Sequence, residues 1–240
     1  FDLFLDGTAE FSGSDELPEQ DQDIPVLIVA DPRPPWLGKG HLDKTPVLAA
    51  AKNQVARTLQ VALRPDGGAR LQERMEVHGQ TAQKWREHYQ SGGAQRERYE
   101  KSWNDTLPGV RAVKVDLPGI GDLEKPVTLR GELEAPAFGR AVPGTGGGER
   151  PRRAPDLSLR PLGRDPDLLR SFARLSQRRY DLVLGFPWRN TERVTIALPP
   201  GYVARRLPEA KTLESPLGRF AFGVEQWTVG GAAEITVTAD

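Results

Sequence analysis

The chain has 240 residues, long enough to bury a real core as one large domain or two small ones. Lys plus Arg and Asp plus Glu number 33 each, so no global electrostatic case exists for nucleic acid or an anionic membrane as a partner. Hydrophobic residues make up 38%, no run approaches the roughly 20 apolar residues of a membrane helix, and cysteine is absent, which excludes disulfides, thiolate metal sites and a thiol nucleophile within these residues.

Phe1, Leu3 and Leu5 recur at period two with further apolar residues between them, which predicts a mostly buried strand ending at Asp6-Gly7. A strand apolar on both faces needs neighbours on both sides, and nothing precedes this one, so the chain is expected to continue a longer protein. Ser12 to Asp23 is polar and acidic, Ile24 to Val29 is a second short apolar strand, and Asp31 to Lys39, with its prolines, is a loop. From Asn53 the alternation is clean: Leu59, Val61 and Leu63 point one way, Asp66-Gly67 turns the chain, and Leu71, Glu73, Met75 and Val77 bring it back as a hairpin.

The period changes over residues 80–104. Trp85 and Tyr89 are four apart, as are Tyr99 and Trp103, which predicts two short helices, each docking an aromatic pair. Strands resume at Val113 to Leu117 and Val127 to Leu133. Gly139 to Pro155 reads as a flexible Gly/Pro-rich loop; its Gly144-x-Gly146-x-Gly148 run has Glu149 where a third glycine would stand and opens no helix, so it is no phosphate cradle. A helix over about 165–176 is capped by Asp165, and strands follow at Tyr180 to Phe186, Thr191 to Leu198, Tyr202 to Leu207, Arg219 to Val224 and Glu234 to Thr238. With 25 Gly and 21 Pro, the pattern predicts a mainly β fold with a few short helices, an antiparallel β-sandwich.

The opening words FLDGTAEFSG, followed by Glu16-Leu17-Pro18 and the acidic Asp15 to Asp23 segment, resemble the end of the catalytic domain in bacterial transglutaminase-like proteins. The words ERYEKSWN, FARLSQRRYDLVLGFPW and ESPLGRFAF resemble the β-rich extension that follows that domain. The resemblance implies a terminal remnant of an α+β catalytic domain over 1–50 and a β-sandwich extension over 51–240. It implies a papain-like Cys-His-Asp triad with Asp6 as its carboxylate, acting on peptide or protein amide bonds by acyl transfer or hydrolysis. It further implies that the upstream part of the catalytic domain is a partner of these residues, and that the setting is a bacterial periplasm or cell envelope. No cofactor and no metal are expected.

Only the third member of such a triad is present. His41, His78 and His88 all follow Asp6, whereas the family order is Cys, His, Asp, and His41-x-Asp43 is too short a metal signal. On spacing alone, an Asp before Gly is a turn residue bonding its own backbone. Glu73 and Glu76 fall on opposite faces of one strand and cannot form a glycosidase pair. The alternative to an enzyme fragment is a non-catalytic β-sandwich that binds or positions a partner.

Overall fold

The computed structural model describes residues 3–142, 156–160, 174–229 and 232–240. Its centre is the hairpin of β3 (Gln54–Leu63) and β4 (Ala69–Val77), in which Leu59, Val61 and Leu63 and then Leu71, Met75 and Val77 are all buried while the alternate residues face water. The turn works because Gly67 holds a φ of 86°, and Asp66 caps it by accepting the Gly68 N–H at 2.8 Å.

Around that hairpin lies an eight-stranded sheet in the order β10-β11-β12-β9-β3-β4-β6-β5. Its other members are β5 (Arg111–Asp116), β6 (Val127–Ala135), β9 (Arg189–Ala197), β10 (Lys211–Ser215), β11 (Gly218–Val229) and β12 (Ala232–Ala239). Neighbours are antiparallel except β3 and β9, which run parallel with Leu59 opposite Val194 and Val61 opposite Ile196. Val237, Val194, Leu59, Glu73 and Gly131 lie in one cross-strand row, and Ile235, Ile196, Val61, Leu71 and Leu133 in the next, so one face of the sheet is apolar except where Glu73 and, one row on, Arg57 and Glu192 meet.

Two helices cover half of that face. α1 (Gly79–Tyr89) starts where Gly79 takes a φ of 61° and the buried Asn53 side chain accepts the Gln80 N–H at 3.2 Å. α2 (Gln95–Asn104) buries Tyr99 and Trp103, while Tyr89 is buried from α1 and Trp85 half-buried beside it. The aromatic pairs therefore dock the helices, as their four-residue spacing predicted. A hairpin of β7 (Gly139–Val142) and β8 (Asp156–Leu159) adds Leu157 and Leu159 to the same core, which makes the mainly β fold sandwich-like. Among the described residues no helix is long and apolar enough to cross a membrane.

Several expectations are corrected. Residues 3–6 form no strand, and Leu3 and Leu5 are 60% and 62% exposed, because among the described residues no strand pairs with them. Gly139 to Val142 is strand rather than loop; the rest of the Gly/Pro-rich stretch, 143–155, lies outside the described residues. Of the helix expected over 165–176, residues 165–173 lie outside the described residues and 174–176 are not helical. Tyr180 to Phe186 and Tyr202 to Leu207 are irregular, since neither has a ladder partner. A separate two-stranded sheet, β1 (Pro25–Ile28) with β2 (His41–Lys44), stands apart from the large one.

Candidate functional site

Asp6 ends the extended opening segment and sits in a turn of its own making. One carboxylate oxygen, Oδ1, accepts the Thr8 N–H at 2.8 Å and the Thr8 hydroxyl at 2.7 Å. The Thr8 hydroxyl, then the Thr8 N–H, hold the Asp6 carboxyl below its ordinary pKa, so it is ionised at neutral pH. Asp21 approaches the same carboxylate; burial, then repulsion from Asp6, push the Asp21 carboxyl up, and its Oδ2 is buried with no hydrogen-bond partner.

The largest single set of bonds that fastens this segment to the main body comes from one arginine on α1, beside ties from Ser14 to Glu124, from Lys52 to Asp15 and from Gln80 to Leu17 and Glu19. Arg86, 2% exposed, donates from Nη1 to Phe11 O at 2.8 Å and Glu16 Oε2 at 3.2 Å, and from Nη2 to Leu123 O at 3.2 Å and Lys125 O at 2.8 Å. Four acceptors from two separate segments thus converge on one planar fork. Leu17, buried in the following turn, presents its carbonyl to the Gln22 and Gln80 side-chain amides at 2.8 and 2.6 Å. The position of Asp6 relative to the sheet follows from these bonds.

None of the three histidines is brought to Asp6. His41 Nε2 lies 3.6 Å from Asp31 Oδ2 and 3.9 Å from Asp43 Oδ2, His78 Nε2 lies 3.0 Å from Glu76 Oε1, and His88 packs edge-on to Tyr89. The His41 cluster is a feature that reading by short spacing missed. Asp31 is buried and takes a double contact from Arg33, with Nε to Oδ1 at 2.8 Å and Nη2 to Oδ2 at 2.6 Å, while Trp36 stacks on the His41 ring. The guanidinium bonds hold the Asp31 carboxyl down to about 2.

The second buried polar cluster lies under α2. Glu73 accepts Arg57 Nε at 2.5 Å on one oxygen, and Tyr99 Oη at 2.5 Å and Trp103 Nε1 at 3.0 Å on the other. Arg57 also reaches Glu192 at 2.7 Å and lies 5.0 Å from the Trp103 ring centroid. Every oxygen of Glu73 is engaged and its side chain is closed to solvent, so the cluster fixes α2 on the sheet rather than meeting a substrate.

Residues 165–229 match DUF3858, a family described as a domain of unknown function with a solved structure. The match takes in β9, β10 and β11 and leaves Asp6, the His41 cluster and both helices outside. No curated protein and no solved structure matches the chain.

Proposed function

We propose that this chain is the C-terminal portion of a transglutaminase-like cysteine enzyme, with Asp6 as the triad carboxylate and with Cys and His supplied by an upstream part of the catalytic domain. The observation that carries the reading is the Asp6 carboxylate itself, which ends the opening segment, is held ionised by the Thr8 hydroxyl and N–H, and has a second carboxyl, Asp21, beside it. An imidazole seated there would donate its N–H to Asp6 and relieve the repulsion. Leu3, Leu5, Leu27 and Leu42 support it, since they are 60 to 77% exposed on the segments around Asp6 and on the β1–β2 hairpin, and an upstream domain would cover them.

In that enzyme the thiolate adds to an amide carbonyl, the amine leaves with the proton held by the imidazole, and water or a second amine cleaves the resulting thioester. Asp6 holds the imidazole tautomer throughout. The test is Asp6→Asn in the full-length parent. Asn keeps the turn with Thr8 but favours the wrong tautomer, so activity falls by on the order of 10⁴ with little change in melting temperature. An active, normally stable variant removes Asp6 from the reaction.

The second reading, a non-catalytic module that positions a partner, draws on the exposed edge strand β10, whose five residues all face solvent and which is free to take another strand.

A further inference from the structure

The loop from Asp31 to His41 is tied from within. Besides the Arg33 side chain, Asp31 Oδ1 accepts the Arg33 N–H at 2.8 Å; Gly38 N–H donates to Asp31 O at 2.9 Å and Lys39 N–H to Trp36 O at 2.6 Å. The His41 side chain, 8% exposed, lies flat against Trp36 with centroids 4.5 Å apart and planes 13° apart. Its Nδ1 is buried without a hydrogen-bond partner, so the loop gives up a bond to keep the imidazole under the indole. The large sheet needs none of this, because β1 and β2 pair only with each other.

What the loop builds is a fixed aromatic platform. Trp36 has one face on the imidazole and is 44% exposed, beside a cavity of about 350 Å³ bounded by Arg33, Pro34, Trp36, His41, Leu42 and Asp43. The cavity lining carries Arg33 and Asp43 as its lysine-, arginine- or carboxylate-type charges. Arg33 is neutralised by Asp31, and Lys44 by Asp23 at 2.5 Å. Asp43 accepts the Lys44 N–H at 2.8 Å on Oδ1, and its Oδ2 lies 3.9 Å from His41 Nε2. A carboxylate that no lysine or arginine pairs with among the described residues therefore stands beside an open aromatic face.

We propose that this cavity binds an organic cation, a lysine-type ammonium or an arginine-type guanidinium, held over the Trp36 indole and ion-paired to Asp43. An indole face attracts cations through its quadrupole, and a carboxylate at its edge adds a charge-assisted hydrogen bond. An anion meets the Asp43 charge. A metal ion finds too few donors, because Arg33 holds both oxygens of Asp31. The site stands apart from Asp6, and its test does not involve catalysis.

The probes are Nα-acetyl-lysine methylamide, Nα-acetyl-arginine methylamide and the uncharged Nα-acetyl-norleucine methylamide, titrated into the ¹⁵N-labelled chain. The readout is the Trp36 indole N–H resonance, assigned through Trp36→Phe; the indole signals of the other tryptophans report that each variant is folded. Both cations shift it saturably, and the norleucine probe binds at least about tenfold more weakly. Asp43→Asn, with Asp43→Ala as a second variant, weakens both cations by about tenfold while the fold persists. Equal binding of the norleucine probe, unchanged affinity in both Asp43 variants, no saturable shift with either cation, or a neutral disaccharide binding more tightly than both cations overturns the proposal.

Discussion

Tyr99 fills the space that a side chain at Gly131 would occupy. A Cβ built on Gly131 falls on the Tyr99 ring edge and hydroxyl, so the glycine on β6 is what lets the α2 hydroxyl reach Glu73 on the neighbouring strand. Gly131→Ala is expected to lose about 1–3 kcal/mol of stability through overpacking. Tyr99→Phe costs a similar amount, about 1–3 kcal/mol, because a buried carboxylate loses a donor. The two changes act on one bond, so urea unfolding of the double variant should show less than the summed loss.

Glu73→Gln leaves Arg57 buried with Glu192 as its remaining anionic partner. Removing one member of such a pair costs about 3–5 kcal/mol. Chemical denaturation should show a lower midpoint at unchanged slope, and a variant as stable as the parent would mean that the Arg57 charge is compensated elsewhere.

Burial, and then the Glu73 charge, push the Tyr99 phenol far above its ordinary value of about 10. A folded-state pKa raised above the unfolded one gives stability that is complete below the unfolded value and is lost as pH rises beyond it. Unfolding free energy should therefore fall above about pH 10, by about 1.4 kcal/mol per pH unit from this group, and Tyr99→Phe should remove that slope. Followed by absorbance, the Tyr99 phenol should resist ionisation until the chain unfolds.

Asp31 behaves in the opposite sense. The Arg33 hydrogen bonds hold its folded-state pKa to about 2, below the unfolded value, so its contribution is present above the unfolded pKa and is lost as pH falls toward 2. Acid titration should free the Trp36–His41 stack in that window, seen as a change at the Trp36 indole while the indole of Trp103 in the core is unmoved. Asp31→Asn should show the freed state at neutral pH.

Arg86→Leu takes one donor set away from Phe11, Glu16, Leu123 and Lys125 together. Hydrogen exchange and limited proteolysis should show residues up to Leu17 opening first while β3, β4 and β6 stay protected. Equal protection of both regions would mean that the opening segment is held by something other than this side chain.

The parts of the fold legible in the sequence were those where pattern and burial coincide. Leu59, Val61 and Leu63 alternate because one face of β3 is core, and Asp66-Gly67 turns the chain where such a pair must. Tyr180 to Phe186 looks equally apolar, yet Tyr180 and Val183 are 80% and 85% exposed; composition carried the strand signal and no strand among the described residues pairs with it. β10 was invisible for the converse reason, since its only apolar residue is Leu213 and its place comes from pairing with β11. Glu73 stood in the apolar phase of β4, which marks a buried carboxylate in need of donors, but Tyr99 and Trp103 come to it from another element. His41 with Asp31 and Trp36 was likewise out of reach, because the three meet through the path of the loop rather than through a residue spacing.

The parallel pairing of β3 with β9 joins positions 135 residues apart, as Arg57 and Glu192 show. Loop closure over that distance precedes any gain from the pair, so the sheet cannot be completed by local zipping alone. The segment that matches DUF3858 ends at 229, yet β12, which begins at Ala232, lies between β9 and β11 in the sheet. Cut at its family boundaries, that segment would hold β10 paired with β11, a one-strand gap in place of β12, and then β9 with an unpaired edge in place of β3. The sheet to which this segment belongs therefore runs past the match to Ala239 and reaches back to the β3–β4 hairpin.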